Sequence, residues 1–204
     1  MNRKSPTVSV VSTGVANVAS VLAAFRRLGV EPLEIDRPDQ VEQAEWLVLP
    51  GVGAFAAAMR AIEERQLAEP LRSRILAGRP TLTICLGLQL LASNSEESPG
   101  VSGLRIWTEQ IVRLRAERVP QLGWNQVEAA ANSRFLETGY AYYANSYCLP
   151  SEPAGWTASW SNHEGRLVAA VEREQVLACQ FHPELSGPWG ERLLASWLGG
   201  GRRC

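Results

Sequence analysis

One thiol and one imidazole stand out by their surroundings. Cys85 closes a short apolar, β-branched stretch in Pro80-Thr-Leu-Thr-Ile-Cys85-Leu-Gly87-Leu-Gln89-Leu-Leu-Ala-Ser93. Gly87 follows two residues later, and a helical pattern then begins. The spacing predicts strand, sharp turn and helix, with the sulfur exposed at the turn. There the unpaired N–H groups and the positive end of the helix dipole favour a thiolate, which is the logic of a nucleophile elbow. The chain has only two histidines, so a base for Cys85 is either His182 or His163. His182 lies in Gln180-Phe-His-Pro-Glu184-Leu-Ser186. Pro183 biases it towards extended backbone, where residues two apart point to the same side. Glu184 can then hold the imidazole towards a nucleophile. The order is nucleophile, base, orienter: Cys85, His182, Glu184. His163, in the polar turn Ser161-Asn-His-Glu-Gly165, reads as a solvated loop residue.

The elements that must position these groups alternate in the first half. Val8–Val11, Pro32–Ile35, Glu45–Leu49 and Leu82–Ile84 read as strands. Asn17–Leu28, Ala54–Leu67 and Leu71–Ala77 read as helices, the first and third stopped by Gly29 and Gly78. Such alternation implies βαβ units and a parallel sheet. The second half carries short β-like runs at Leu104–Trp107, Ile111–Leu114, Gln126–Ala129, Ala141–Tyr147, Thr157–Ser161, Leu167–Val171 and Val176–Phe181. The expected fold is therefore α/β: a mostly parallel central sheet flanked by helices, with an antiparallel or mixed extension in the C-terminal half. A last helix over Trp189–Leu198 precedes a Gly-rich, basic tail, with 199–204 expected to fray. Trp124 falls in a Gly-Trp-Asn segment expected to be a loop.

In a parallel sheet, ligand sites form at the carboxyl ends of strands, where both Cys85 and Leu49-Pro-Gly-Val-Gly53 fall. Glycines let backbone N–H groups approach a substrate closely. With the N–H of Leu86 they could form an oxyanion hole. Taken alone, the same Pro-Gly-x-Gly run also marks an ordinary strand-to-helix turn.

With 204 residues the chain is expected to be a single domain spanning 1–204. A hydrophobic content of 46% and a charged content of 20% describe an ordinary globular chain. The net charge of −1 gives no reason to expect nucleic acid as a partner, and no apolar run is long enough to span a membrane. The N-terminus lacks the apolar region of a signal peptide. The four cysteines, Cys85, Cys148, Cys179 and Cys204, match neither a disulfide framework nor a metal-site spacing. No cofactor or metal is expected, and a reducing cytoplasm is the simplest location. Cys148 and Cys179, in apolar runs, read as inert core thiols.

Assembled, these residues resemble the class I, triad-type glutamine amidotransferases, most of all the glutaminase subunits of imidazole glycerol phosphate synthases of histidine biosynthesis. The resemblance covers nearly the whole chain. It rests on Thr13-Gly-Val-Ala-Asn-Val-Ala-Ser-Val21, Leu49-Pro-Gly-Val-Gly53, Ile84-Cys-Leu-Gly-Leu-Gln-Leu-Leu91 with Ser95-Glu-Glu97, Leu122-Gly-Trp-Asn125, Asn145-Ser-Tyr147, and Gln180-Phe-His-Pro-Glu184 with Ser186-Gly187. It implies that Cys85 attacks the side-chain amide of L-glutamine and that His182 protonates the departing ammonia. Backbone near Gly51, Val52 and Leu86 would hold the oxyanion. Gly53, Gln89, Glu97, Ser146 and Tyr147 would hold glutamine, Glu97 by its α-ammonium group. Ammonia would pass to a (β/α)8 cyclase subunit, in a heterodimer making imidazole glycerol phosphate and aminoimidazole carboxamide ribotide.

Four positions depart from the family pattern. Thr83 replaces a glycine beside the elbow, Leu185 a lysine after His-Pro-Glu, and Asn145 and Gln121 replace frequent histidines. The last three are expected near the partner-facing side, and each removes a potentially cationic group. Two alternatives keep the fold: an amidotransferase subunit feeding a different synthase, or a non-catalytic docking or regulatory protein. A peptidase of this broad fold fits less well, because Gln89 and Glu97 suit a small amino acid.

Overall fold

The computed structural model describes residues 7–12 and 18–201. The segment 13–17, part of the first motif, and Cys204 lie outside the described residues.

Continuous apolar runs such as β1 (Val8–Val11) and β3 (Trp46–Leu49) suit strands buried on both faces. They pair in parallel with each other, β1 also with β2 (Leu33–Ile35) and β3 with β4 (Thr81–Ile84). On the far side β4 pairs in parallel with β12 (Val176–Cys179). Strand β12 is the last of an antiparallel meander with β10 (Thr157–Asn162) and β11 (Arg166–Arg173). The sheet order is β10-β11-β12-β4-β3-β1-β2. The expected parallel sheet and antiparallel extension are thus one continuous seven-stranded sheet.

Helices cover both faces. Alternation along the strands sends Leu47 and Leu49 to one core, with α3 (Phe55–Glu64) and α4 (Ala68–Leu76), and Val48, Leu82 and Ile84 to the other. The second core packs α1 (Ala19–Arg27) and α6 (Gly187–Leu198) through Phe25 and Trp197, whose rings meet edge to face at 6.3 Å.

The site depends on smaller elements as well. A short turn of helix, α5 (Leu86–Gln89), follows β4. A hairpin joins β7 (Gln121–Val127) to β8 (Gly139–Asn145). A small sheet groups β5 (Asn94–Ser95), β6 (Gln110–Arg113) and β9 (Tyr147–Cys148).

Four expectations change. Leu104–Trp107 is not a strand: the N–H groups of Leu104, Arg105 and Ile106 bond the carbonyls of Leu90, Ala92 and Leu91. The segment satisfies acceptors that the end of the α5 turn leaves open, so its apolar side chains reflect burial rather than sheet pairing. Leu122-Gly-Trp-Asn125 is not a loop but lies inside β7, because cross-strand pairing with β8 outweighs the weak strand preference of Gly and Asn. The helix expected after Cys85 is only α5, four residues long. An unforeseen helix, α2 (Pro38–Gln43), begins on a proline, and Gln40 accepts from the N–H groups of Asp36 and Arg37.

Candidate active site

Cys85, buried rather than exposed as the turn suggested, sits between β4 and α5 at φ 54 and ψ −109, a left-handed conformation that costs a non-glycine residue energy and persists only where its surroundings impose it. Here they do. Its N–H donates to Cys179 O on β12 at 2.7 Å, and the N–H groups of Leu88 and Gln89 close back onto its carbonyl. Two glycines let the chain pass so tightly. A Cβ on Gly51 would stand 2.5 Å from the nitrogen of Gly87, and one on Gly87 would strike the carbonyl of Leu49. The substituted position beside the elbow carries a cost: Thr83 is wholly buried and its hydroxyl has no hydrogen-bond partner among the described residues. Because α5 is a single turn, its dipole is a small contribution, and the polar groups around the sulfur matter more.

His182 shares the pocket wall with Cys85. Its N–H donates to Tyr142 O on β8 at 2.9 Å, and its Nδ1 lies 2.8 Å from Glu184 Oε1, with both side chains buried. The expected pairing is present, but extended backbone does not produce it. Residues Pro183–Leu185 form a 3-10 turn, for which the fixed φ of proline is suited. The turn, rather than strand alternation, swings the carboxylate onto the ring. Ser186, buried, closes it by donating to His182 O at 2.6 Å while accepting from the N–H of Tyr142.

Burial presses His182 towards neutrality. The hydrogen bond with Cys85 and that with Glu184, together with their charges, outweigh it and lift the pKa to about 10. Burial pushes the Cys148 thiol up to about 11 and raises that of Cys179 well above its ordinary value. Both are therefore poor nucleophiles. His163, the other candidate base, is bonded to Arg118 O at 2.8 Å and lines different pockets from Cys85.

A pocket of about 340 Å³ opens beside Cys85 and His182. Val52, Gly53, Leu86, Gln89, Glu97, Ser146 and Tyr147 all line it, joined by Ala144 and Asn145. Gly51 packs behind the elbow and Glu184 behind the imidazole. Glu97 is held in place because its Oε2 accepts from the N–H of Phe55 at 2.7 Å, at the start of α3. The N–H of Leu86, expected to face an oxyanion, instead donates to Gly51 O at 3.4 Å. Gly51, Val52 and Leu86 are thus together, but that donor is already engaged, with the Gly51 carbonyl turned inwards.

Of the three positions expected to face a partner, only Leu185 is exposed, at 45%. Gln121 and Asn145 are opposite one another across β7 and β8, and both are buried. A charge there could not form a surface contact.

Sequence reasoning assigned no role to Gln180 or Ser186. Both sit within the quoted His-Pro-Glu block, and the only signal available was a polar residue beside a buried motif.

The class-I glutamine amidotransferase model matches residues 10–198. The chain is 40% identical over 197 residues to the imidazole glycerol phosphate synthase subunit HisH of Escherichia coli K12, covering 94% of this chain and 98% of that one. It is 38% identical over 196 residues to the subunit HisH of Methanothermobacter thermautotrophicus, covering 94% and 97%. A crystal structure of a glutamine amidotransferase superposes with a TM-score of 0.76 at 20% identity, over 94% and 97% of the two chains.

Proposed function

The chain belongs to the class-I glutamine amidotransferase family, and we propose that it is the glutaminase subunit of an imidazole glycerol phosphate synthase, working in the cytoplasm as a heterodimer with a (β/α)8 cyclase. The observation that carries the reading is a strained thiol, Cys85, sharing the wall of a pocket with room for an amino acid with a buried imidazole, His182, that a carboxylate holds at 2.8 Å.

In this reading glutamine enters with its α-ammonium group near Glu97, whose carboxylate is already fixed by α3. Cys85 Sγ forms a bond to the amide carbon, and the carbonyl π electrons move onto oxygen. His182 gives its proton to the amide nitrogen, the C–N bond breaks and ammonia leaves. A γ-glutamyl thioester remains. Water, losing a proton to His182, attacks the thioester carbon, the C–S bond breaks, and glutamate departs. The developing oxyanion needs the N–H of Leu86, which the Gly51 carbonyl now occupies. The Gly51–Val52 peptide must turn over before that donor serves catalysis, so the unpartnered chain is expected to be slow.

A partner surface is available beside the pocket. Alternation along the β7–β8 hairpin buries Val127, Ala141 and Tyr143 and leaves Leu122, Trp124 and Tyr140 outside, between 59% and 70% exposed. Ala144, next on the same face as Tyr142, lines the pocket itself. Leu185 and Val52 add exposed apolar surface on either side of the triad. Exposed apolar surface on the hairpin face that leads to the pocket fits a docking protein.

The test is glutamine hydrolysis by the purified chain, alone and then with a cyclase barrel plus its nucleotide substrate. Slow hydrolysis alone that rises strongly with both supports the proposal. Absence of a rise, with Cys85 still labelled by a glutamine-like diazoketone, would assign the chain to a different synthase.

A further inference from the structure

Behind Cys85, two buried side-chain amides form a chain with a fixed direction. The backbone carbonyl of Tyr147 can only accept. It takes N–H groups from Gln89 Nε2 at 3.0 Å and Asn145 Nδ2 at 3.1 Å. Gln89 must therefore turn its nitrogen to Tyr147, and it also donates to Gln180 Oε1 at 3.2 Å. That contact needs an acceptor, so Gln180 must turn its oxygen to Gln89. Its nitrogen is then left facing Cys85 Sγ, to which it donates at 3.8 Å. An amide's two orientations are ordinarily hard to tell apart. Here one backbone carbonyl settles both amides in turn, since the reverse arrangement sets two donors against each other.

Gln180 is wholly buried and Gln89 nearly so, so water does not compete for these bonds. Across the sulfur the carbonyl of Ala144 stands at 4.0 Å and accepts from the thiol. That contact suits the uncharged form. A hydrogen bond from an amide to sulfur suits the charged form, which is the stronger acceptor. The sulfur also faces His182, with Glu184 behind it, and shares its pocket with Glu97 and Tyr147.

We propose that Gln180 is a positioning residue for the thiol chemistry: through Gln89 it takes its orientation from the Tyr147 carbonyl, holds an N–H donor against Cys85 Sγ, and locks Gln89 in the pocket wall. The contact with sulfur stands on geometry alone. The role of Gln89 towards substrate rests on the glutaminase reading.

The experiment follows carbamidomethylation of Cys85 by iodoacetamide against pH in the full chain, read by peptide mass spectrometry, beside kcat and KM for glutamine in the presence of the cyclase. Gln180→Glu keeps an acceptor for Gln89 but sets a carboxylate against the sulfur. Its half-alkylation pH should rise, slowing alkylation at pH 7 by about tenfold or more, with KM changed by less than about twofold. Gln180→Met loses both contacts and should slow alkylation and raise KM together. Gln89→Glu leaves Gln180 untouched but offers it a carboxylate to donate to, which draws the N–H from the sulfur and should shift the pH profile the same way. It also reads the proposal if a change at the wholly buried Gln180 prevents folding. An alkylation profile that stays at the wild-type position in the folded variants overturns the inference. Alkylation shifts with no glutamine hydrolysis by the wild-type complex would leave it standing and overturn the glutaminase reading instead.

Discussion

Burial alone would drive the His182 imidazole to its neutral form, yet Cys85 and Glu184 hold it protonated to about pH 10. The folded pKa lies above the unfolded value of 6.5. The resulting stabilisation is therefore fully present below about pH 6.5 and is lost as pH climbs towards about 10. Replacing Cys85 by alanine removes the first-named hydrogen bond, so the pH-dependent part of the Tm difference between wild type and Cys85→Ala should shrink from pH 6 to pH 10. A constant difference would mean that the pair is not coupled. At Val52 the issue is conformational. Turning over the Gly51–Val52 peptide places a β-branched residue at positive φ, where glycine would be free of strain. Val52→Gly should raise unstimulated glutamine hydrolysis by about five- to tenfold, measured without partner. No rise would place the obstacle elsewhere. The proposed nucleophile and base were legible as candidates in the sequence because Cys85 and His182 sit in short local motifs. Gln180 was not, since its meaning depends on Tyr147 and Gln89, which are brought to it from β9 and α5.

Elements place those residues through their ends. The amino ends of β3 and β4 are tied by Arg74 on α4, a buried guanidinium that meets no carboxylate among the described residues. Its donors reach the carbonyls of Val41, Ala44, Glu45 and Pro80 and the hydroxyl of Thr81. Burial, helped by the charge of Arg79, lowers its pKa to about 10. Arg74→Met fills much of the volume but leaves those carbonyls unpaired, and should cost about 3 kcal/mol in urea unfolding. A loss below about 1 kcal/mol would show that water replaces the side chain. At the carboxyl ends the 3-10 turn of Pro183–Leu185 achieves what strand alternation was expected to do. Proline's fixed φ was visible in the sequence. The closing bond from Ser186 to His182 O, and the strand β8 that Ser186 ties in, were not, because both depend on the hairpin reaching across the sheet. For the same reason Leu104–Trp107, apolar enough for a strand, spends its N–H groups on the end of α5.

The whole molecule joins two separated faces. The triad comes from β4 and from the turn after β12, neighbouring strands in space though far apart along the chain. The hairpin then leaves Leu122, Trp124 and Tyr140 exposed on the face that leads to Ala144 in the pocket wall. Trp124, packed edge to face on Tyr142 at 6.1 Å, is the largest exposed member. Trp124→Ser should weaken cyclase binding by about tenfold or more, read as the cyclase concentration needed for half-maximal stimulation, and change Tm little. Unchanged stimulation would move the partner surface off the hairpin. By itself, the sequence determined the parallel α/β framework, the elbow and the candidate nucleophile and base, because hydrophobic period and local motif act over a few residues. Tertiary structure alone decided which way the amides face, that Leu185 is exposed while Gln121 and Asn145 are buried, and that the Leu86 donor is engaged by Gly51. Each of these depends on partners brought together by sheet order, and neither composition nor spacing encodes the direction of a hydrogen bond between distant strands.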